Sequence, residues 1–218
     1  MKLQEVMKKK RHTLVVKRIA REVSDPWILK AFMRVPRERF VPEEILDKAY
    51  DDQALPIGEK QTISQPSLIA MMTDMLGLKG SEKVLEVGTG SGYQAAILAE
   101  LAGEVFTIER VESLAKMAQE RLVDLGYENV TVVCGDGTKG MPEEAPFDAV
   151  LVTAAGKKIP GALVRQLKES GRIVIPVETK DGEQYIYQGI KLGKTLKLRK
   201  TFRVRFVPLV KDNHTGTI

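Results

Sequence analysis

From residue 83 onward, short apolar runs alternate with amphipathic stretches of helical length. The runs near 83–87, 104–109, 130–133, 147–153 and 171–177 are rich in Val, Ile, Leu and Phe and read as strands. Between them, apolar residues recur at helical spacing. Strands that are apolar on both faces and alternate with helices predict a parallel sheet covered on both sides. Two further runs, near 183–191 and 202–209, are joined by short turns and are expected to be antiparallel. The expected fold is α/β: a doubly wound, mostly parallel seven-stranded sheet.

Before residue 83 the pattern is different. Residues 2–22 read as a helix. Ser24-Asp25-Pro26-Trp27 opens a second one, with an Asp/Ser cap, Pro in the first turn and apolar residues at Ile28, Phe32 and Val35. Val35-Pro36 and Val41-Pro42 break helicity twice. A short helix over 43–49 and a loop over 51–58 follow. The chain thus divides into a helical segment with a loop (1–82), packed on an α/β part (83–218), expected to form one structural domain.

At 218 residues the chain can bury one substantial core. Its single cysteine, Cys134, excludes an internal disulfide and suits a reducing compartment. The basic run at the start is followed only by Leu14-Val15-Val16, too short for a secretory core or a membrane span, so a cytoplasmic protein is expected. The net charge of +5 is uneven. Residues 2–21 carry eight Lys/Arg against one acid and residues 191–205 carry seven against none, so the remainder is acidic. Basic ends can attract nucleic acid. Only Phe202 interleaves the second of them, which favours a solvated surface or attraction of anionic proteins over a nucleic-acid partner.

The chemistry concentrates at the strand ends. Val84-Leu85-Glu86-Val87 runs into Gly88-Thr89-Gly90-Ser91-Gly92-Tyr93 and then into a helical stretch. A glycine turn between strand and helix lets a ligand approach the backbone closely. The spacing is G-x-G-x-G, and Tyr93 stands after Gly92, so the dinucleotide pattern G-x-G-x-x-G/A fails. An acid two positions before the first glycine suits a cofactor with a cationic amino-acid end and no phosphates, as in S-adenosylmethionine (AdoMet). Glu109 closes the second strand about twenty residues beyond the first glycine, where a carboxylate can hold both ribose hydroxyls. Cys134-Gly135-Asp136 closes the third, and Asp136 can accept from an adenine amino group. Each acid alone is compatible with an ordinary solvated strand end; three at successive strand ends argue for a site.

Ahead of the sheet, Gln61-Thr62-Ile63-Ser64-Gln65-Pro66 leads into the amphipathic run Ser67-Leu68-Ile69-Ala70-Met71-Met72. Ser64 or Gln65 at a helix cap explains this pattern structurally. The same donors, on a loop beside the first cofactor strand, could instead hold an anionic substrate.

The segments VPRERFVP, LPIGEKQTISQP, VLEVGTGSGY, CGDGTKG, APFDAVLVTAA and RFVPLV, in this order from about residue 24 to 210, resemble protein-L-isoaspartate O-methyltransferases. The resemblance implies a Rossmann-like AdoMet-dependent methyltransferase that repairs age-damaged proteins and peptides by methylating the free carboxylate of L-isoaspartyl residues. It implies Ser64 as the active-site serine, with Gln61, Thr62 and Ile63 lining the mouth for cofactor and substrate. Glu86, Gly88, Gly90, Ser91, Glu109, Gly135 and Asp136 match the family's AdoMet contacts. It also implies an unusual order for the last two strands. Where some members carry a His shortly after the serine, this chain has Ser67 and Ile69. No metal and no membrane are implied, and the chain is expected to act as a monomer.

The residues argue independently against rival chemistries. Base N-methylation relies on an Asn/Asp-Pro-Pro-aromatic turn after the fourth strand, where this chain has Val152-Thr153-Ala154-Ala155-Gly156. Metal-assisted O-methylation needs clustered acids past that strand, where Lys157 and Lys158 stand. The histidines, His12 and His214, lie at the extreme ends, so no general base is expected near the motifs. The Ile57–Ser64 stretch and the run Phe206-Val207-Pro208-Leu209 are expected to clamp a substrate backbone.

Overall fold

The computed structural model of this chain describes residues 2–211; His214 lies outside the described residues. Seven strands form one sheet: β3 (Lys83–Val87), β4 (Glu104–Glu109), β5 (Val130–Cys134), β6 (Phe147–Val152), β7 (Leu167–Glu178), β8 (Gln184–Leu192) and β9 (Thr195–Val204). Their order is β5-β4-β3-β6-β7-β8-β9. The strands from β5 to β7 are parallel, and β8 and β9 are antiparallel, in sequence order. The chain therefore reverses direction across the sheet between β3 and β6, and that reversal opens a crevice at the strand C-termini.

Alternation along the strands explains the two layers. In β3, Val84 points into one apolar cluster and Leu85 and Val87 into the other; in β6, Ala149 and Leu151 face the first, and Val150 and Val152 the second. Each buried Val or Leu side chain contributes about 1.5–3 kcal/mol, so both sheet faces carry stability. The first cluster also takes Met7, Leu14, Val15 and Ile19 from the N-terminal helices, with Phe32, Phe40 and Met72.

The N-terminal helix is continuous over α1 (Lys2–Leu14), a π-helical turn (Val15–Ile19) and α2 (Ala20–Glu22). Helix α3 (Pro26–Arg34) starts as its sequence indicates: Pro26 sits in the first turn and the Trp27 N–H donates to Asp25 Oδ1 at 2.8 Å. The short helix near 43–49 is a 3₁₀ helix, Glu43–Lys48. Helices α4 (Pro66–Asp74), α5 (Tyr93–Ala99), α6 (Glu112–Asp124) and α7 (Gly161–Gln166) complete the layers.

Three expectations are corrected. Part of the loop over 51–58 is strand: β1 (Leu55–Gly58) pairs with β2 (Gln61–Ile63) as a hairpin, turned through Glu59 and Lys60, both at positive φ. Neither residue is a glycine, so the usual hairpin signal is missing. Between β5 and β6 there is no α-helix but two 3₁₀ turns, Gly137–Lys139 and Pro142–Glu144, because Gly140, Pro142 and Pro146 interrupt any helical run. The last strand is Thr195–Val204 rather than 202–209. Its basic residues look like loop in sequence, yet an edge strand needs only one partner and tolerates charge. Residues 205–210 cross the strand ends instead, where Leu209 N donates to Ala155 O and Ala155 N to Val207 O.

Candidate active site

The crevice holds a cavity of about 380 Å³, within the range of small-molecule sites. The glycine turn forms one wall. At Gly88, φ is +99° and an added methyl group would come within 2.3 Å of Thr153 Oγ1, so both conformation and space require glycine. Thr153, after β6, fixes that turn: its Oγ1 lies 3.0 Å from Val87 O and 2.7 Å from Gly88 O. From α6, Arg121 donates to Ser91 O at 2.6 Å. Gly90 and Ser91 line the cavity with Gly88.

Glu109 lines the same cavity. One of its carboxylate oxygens accepts from Gly90 N at 2.9 Å and the other from Val111 N at 3.0 Å. Both oxygens retain a lone pair, so the carboxylate can take a vicinal diol without giving up either amide. This pair of acceptor oxygens fits the two hydroxyls of a ribose.

Three of the expected cofactor residues stand behind the lining. Glu86 is fully buried; its Oε2 accepts from Thr107 Oγ1 at 2.5 Å, and Thr107 contacts Thr89 Oγ1 at 2.6 Å. Its Oε1 has no partner, and burial pushes its carboxyl up to about 8. Gly135 N donates to Glu109 O at 2.9 Å. Asp136 accepts from Thr138 N at 2.9 Å and Thr138 Oγ1 at 2.7 Å, which brings Gly137 to the wall.

The opposite wall comes from the hairpin and its exit: Gln61, Thr62, Ile63 and Ser64 all line the cavity. Ser64 does not cap α4. Gln65 occupies the cap position without a capping side chain, and Asp52 supplies the acceptor, taking Ser67 N at 2.9 Å on Oδ1 and Gln65 Nε2 at 3.2 Å on Oδ2. The Ser64 carbonyl is held by Arg37, whose NH2 donates to it at 2.9 Å while Nε donates to Ala49 O at 2.9 Å. Arg37 is fully buried, 4.9 Å from the centre of the Tyr93 ring, and burial pulls its pKa down to about 10. Sequence reasoning missed both Arg37 and Asp52. An Arg in VPRERFVP and an Asp in a loop carry no local signal for a partner 27 or 15 residues away.

A second cleft, of about 300 Å³, opens beside the first and shares Thr62, Ser64, Thr153, Phe206 and Val207 with it. Its floor is Leu68, Met71 and Phe202, and Arg203 and Arg205 stand at its rim. Of the run Phe206-Val207-Pro208-Leu209, expected to clamp a substrate backbone, all four residues line the larger cavity and Phe206 and Val207 also line the second cleft. His12 is exposed on α1, away from both clefts. Among the described residues no cluster of three or more His, Cys, Asp or Glu could hold a metal ion, and no helix is long and apolar enough to cross a membrane.

Residues 8–214 match the family model for protein-L-isoaspartate(D-aspartate) O-methyltransferase. A protein-L-isoaspartate O-methyltransferase of Ignicoccus hospitalis is 52% identical over 188 residues, covering 85% of this chain and 89% of its own length. That of Syntrophus aciditrophicus is 52% identical over 197 residues, covering 88% of each chain. Among solved structures, a protein-L-isoaspartate O-methyltransferase superposes with a TM-score of 0.85 at 33% identity, over 91% of this chain and 65% of that one. A putative enzyme of the same type from Plasmodium falciparum, in complex with S-adenosyl-L-homocysteine, shares the fold with a TM-score of 0.81 at 24% identity.

Proposed function

The chain belongs to the protein-L-isoaspartate(D-aspartate) O-methyltransferase family, and on that footing we propose how the residues around its cavity divide the work. The reaction moves a methyl group from AdoMet to the free α-carboxylate of an L-isoaspartyl residue in a damaged protein or peptide, initiating its repair. The observation that carries the assignment is the single cavity that joins the glycine turn and Glu109 to Ser64, with a second cleft open at Ser64.

When bound, AdoMet supplies a methyl group carried on a sulfonium. Glu109 holds the ribose hydroxyls, the backbone of Gly88, Gly90 and Ser91 cradles the amino-acid end, and Gly135 and Asp136 set the adenine side through Gly137. Glu86 acts from behind the turn, through Thr107 and Thr89. Gln61, Thr62 and Ile63 close the mouth. Ser64 orients the substrate carboxylate by its hydroxyl rather than attacking as a nucleophile. A carboxylate with a pKa near about 4 is already ionised at neutral pH, so no side chain has to remove a proton. Transfer to it cancels a positive and a negative charge, a change that water opposes by stabilising the separated ions. The apolar wall of Ile63, Met72, Val87 and Ile108 keeps water out and favours the step. What remains is alignment.

Selectivity follows from covalent geometry. In an isoaspartyl residue the free carboxylate sits directly on Cα, and in normal aspartate it lies one methylene further out. Misplacement on the order of 1 Å can cost about a hundredfold in rate. We place the enzyme in the cytoplasm as a monomer acting on protein rather than nucleic acid. The lone Cys134 suits a reducing compartment. One apolar cluster, running from Met7 through Phe40 to Val174, supports the segments on either side of residue 82 as a single domain. Methylation with labelled AdoMet of one peptide in isoaspartyl and aspartyl forms tests the proposal: the first is accepted and the second is not. Equal rates, or efficient transfer to RNA with neither peptide accepted, would overturn it.

A further inference from the structure

Among the described residues the sheet ends on one side at β9, whose outer edge has no strand partner. Among the described residues, no backbone group of residues 196–204 makes a hydrogen bond beyond the ladder to β8. Such an edge presents a row of free N–H and C=O groups, a template for another extended chain. This one leads directly to the site. Phe202, Arg203 and Val204 of β9, and Arg205 to Val207 after it, line the second cleft together with Ser64.

The edge is also strongly basic. Lys197, Arg199, Lys200, Arg203 and Arg205 lie between residues 195 and 205, with no acid among them. Arg203 pairs with Glu183, and Lys200 sits over the Tyr185 ring at 3.4 Å. Lys197, Arg199 and Arg205 have no ion-pair partner among the described residues. The register sets Lys197 opposite Ile190 and Arg199 opposite Gln188. Cross-strand neighbours share a face, and Gln188 reaches Met75 O just past α4. These two cations therefore stand on the sheet face that carries α4, as the cleft does through Leu68 and Met71.

We propose that the free edge of β9 docks the protein substrate: an extended segment on one side of the isoaspartyl residue pairs with β9 as a further strand. Acidic side chains of that segment face Lys197, Arg199 and Arg205. The inference rests on the function proposed above and adds how a chain, rather than a single residue, is recognised. Charge selects this occupant. A second copy of the edge would bring like charges together. Single-stranded nucleic acid binds through exposed aromatic faces, whereas Phe202 and Phe206 pack against the core and Lys200 covers Tyr185.

The test compares three isoaspartyl peptides on the full-length enzyme and on the double variant Lys197→Glu/Arg199→Glu. The first peptide has two neutral residues on each side and reaches only the cleft. The second adds an acidic flank of about six residues, placed on either side in turn. The third carries N-methyl groups on alternate backbone nitrogens of that flank, in each of the two registers. Pairing with the edge predicts a KM about tenfold lower for the acidic flank on one side only, at similar kcat, because rim charges act on encounter and binding. The double variant removes this advantage and leaves the short peptide unchanged. N-methylation raises KM in one register and not in the other. Equal KM for short and flanked peptides overturns the proposal, as does an N-methyl effect independent of register. Competition by an RNA oligonucleotide through Lys197 and Arg199, with N-methylation silent, overturns it in favour of nucleic acid. If the wild-type enzyme leaves even the short peptide unmethylated, the underlying function fails and this inference falls with it.

Discussion

The two walls of the cavity are built on opposite terms. The cofactor wall is made where strands end, and its turn is pinned by neighbours. Gly88 N donates to Ile108 O, Gly90 N to Glu109, and Thr153 N to Val87 O. The substrate wall is a two-stranded hairpin outside the main sheet, with Glu59, Lys60 and Thr62 exposed. It is held from beneath by Arg37 and Asp52. The first wall presents one fixed shape, suited to one cofactor. The second joins the core only through Leu55, Ile57 and Ile63 and exposes its tip, which leaves the tip room to adjust to many protein chains while Ser64 stays anchored through its carbonyl.

The largest effect is expected where the adjustable wall is anchored. Arg37→Met keeps the bulk of the side chain and strips the carbonyls of Ala49 and Ser64 of their donor. Leaving buried acceptors unpaired should cost about 2–5 kcal/mol. Thermal or denaturant unfolding measures this, and near-wild-type stability would show that the mouth does not depend on Arg37. If the contrast between walls holds, the folded fraction of the variant keeps its cofactor affinity and loses peptide turnover.

Next in size is a pH effect inside the fixed wall. Burial raises the Glu86 carboxyl from 4.5 to about 8, so the folded protein holds a proton that the unfolded chain releases. The stability it contributes is fully present below about 4.5 and is lost as pH rises towards 8, at up to about 1.4 kcal/mol per pH unit. Glu86→Gln keeps an acceptor for Thr107 and has no proton to lose, so its stability should be flatter across that window. Identical pH profiles for the two proteins would refute a neutral Glu86.

The cofactor contact itself comes third. Glu109→Ala should weaken AdoMet by about 1.5–3 kcal/mol, the worth of charge-assisted hydrogen bonds. Since Glu109 also holds Gly90 N and Val111 N, Glu109→Gln, which keeps an acceptor oxygen, separates loss of ligand contact from loosening of the turn. Wild-type affinity by calorimetric titration in the Ala variant would remove Glu109 from the site.

The same contrast decides what the chain reveals before it folds. The fixed wall is local: the ten residues from Lys83 to Gly92 contain strand, turn and helix start in order, and each strand-end acid follows its own apolar run. The sheet was legible for the same reason. The adjustable wall is not local. Its hairpin turns through Glu59 and Lys60 without the glycine that marks such turns, and its anchors lie 27 and 15 residues from what they hold. Strand β9 is a further instance. Leu196 and Leu198 alternate there with Lys197 and Arg199, a strand period that charge density disguises; of the four only Leu196 is not exposed, and an edge position suits such a strand.

The smallest expected change in stability tests Ser64. Were it a helix cap, Ser64→Ala would cost about 1 kcal/mol. Asp52 already accepts from the first turn of α4, and Arg37 grips the Ser64 backbone, which the substitution leaves in place. The variant should therefore melt within about 0.5 kcal/mol of wild type, as surface changes away from such features do. AdoMet affinity should stay within a few-fold, because the cofactor wall is untouched. Peptide turnover should fall by about a hundredfold if the hydroxyl aligns the carboxylate, the scale expected for a reacting group displaced by about 1 Å. Melting curves run beside kinetics separate these outcomes. A destabilised variant with normal turnover per folded molecule would return Ser64 to a structural role and leave the carboxylate to be oriented by the backbone of the hairpin alone.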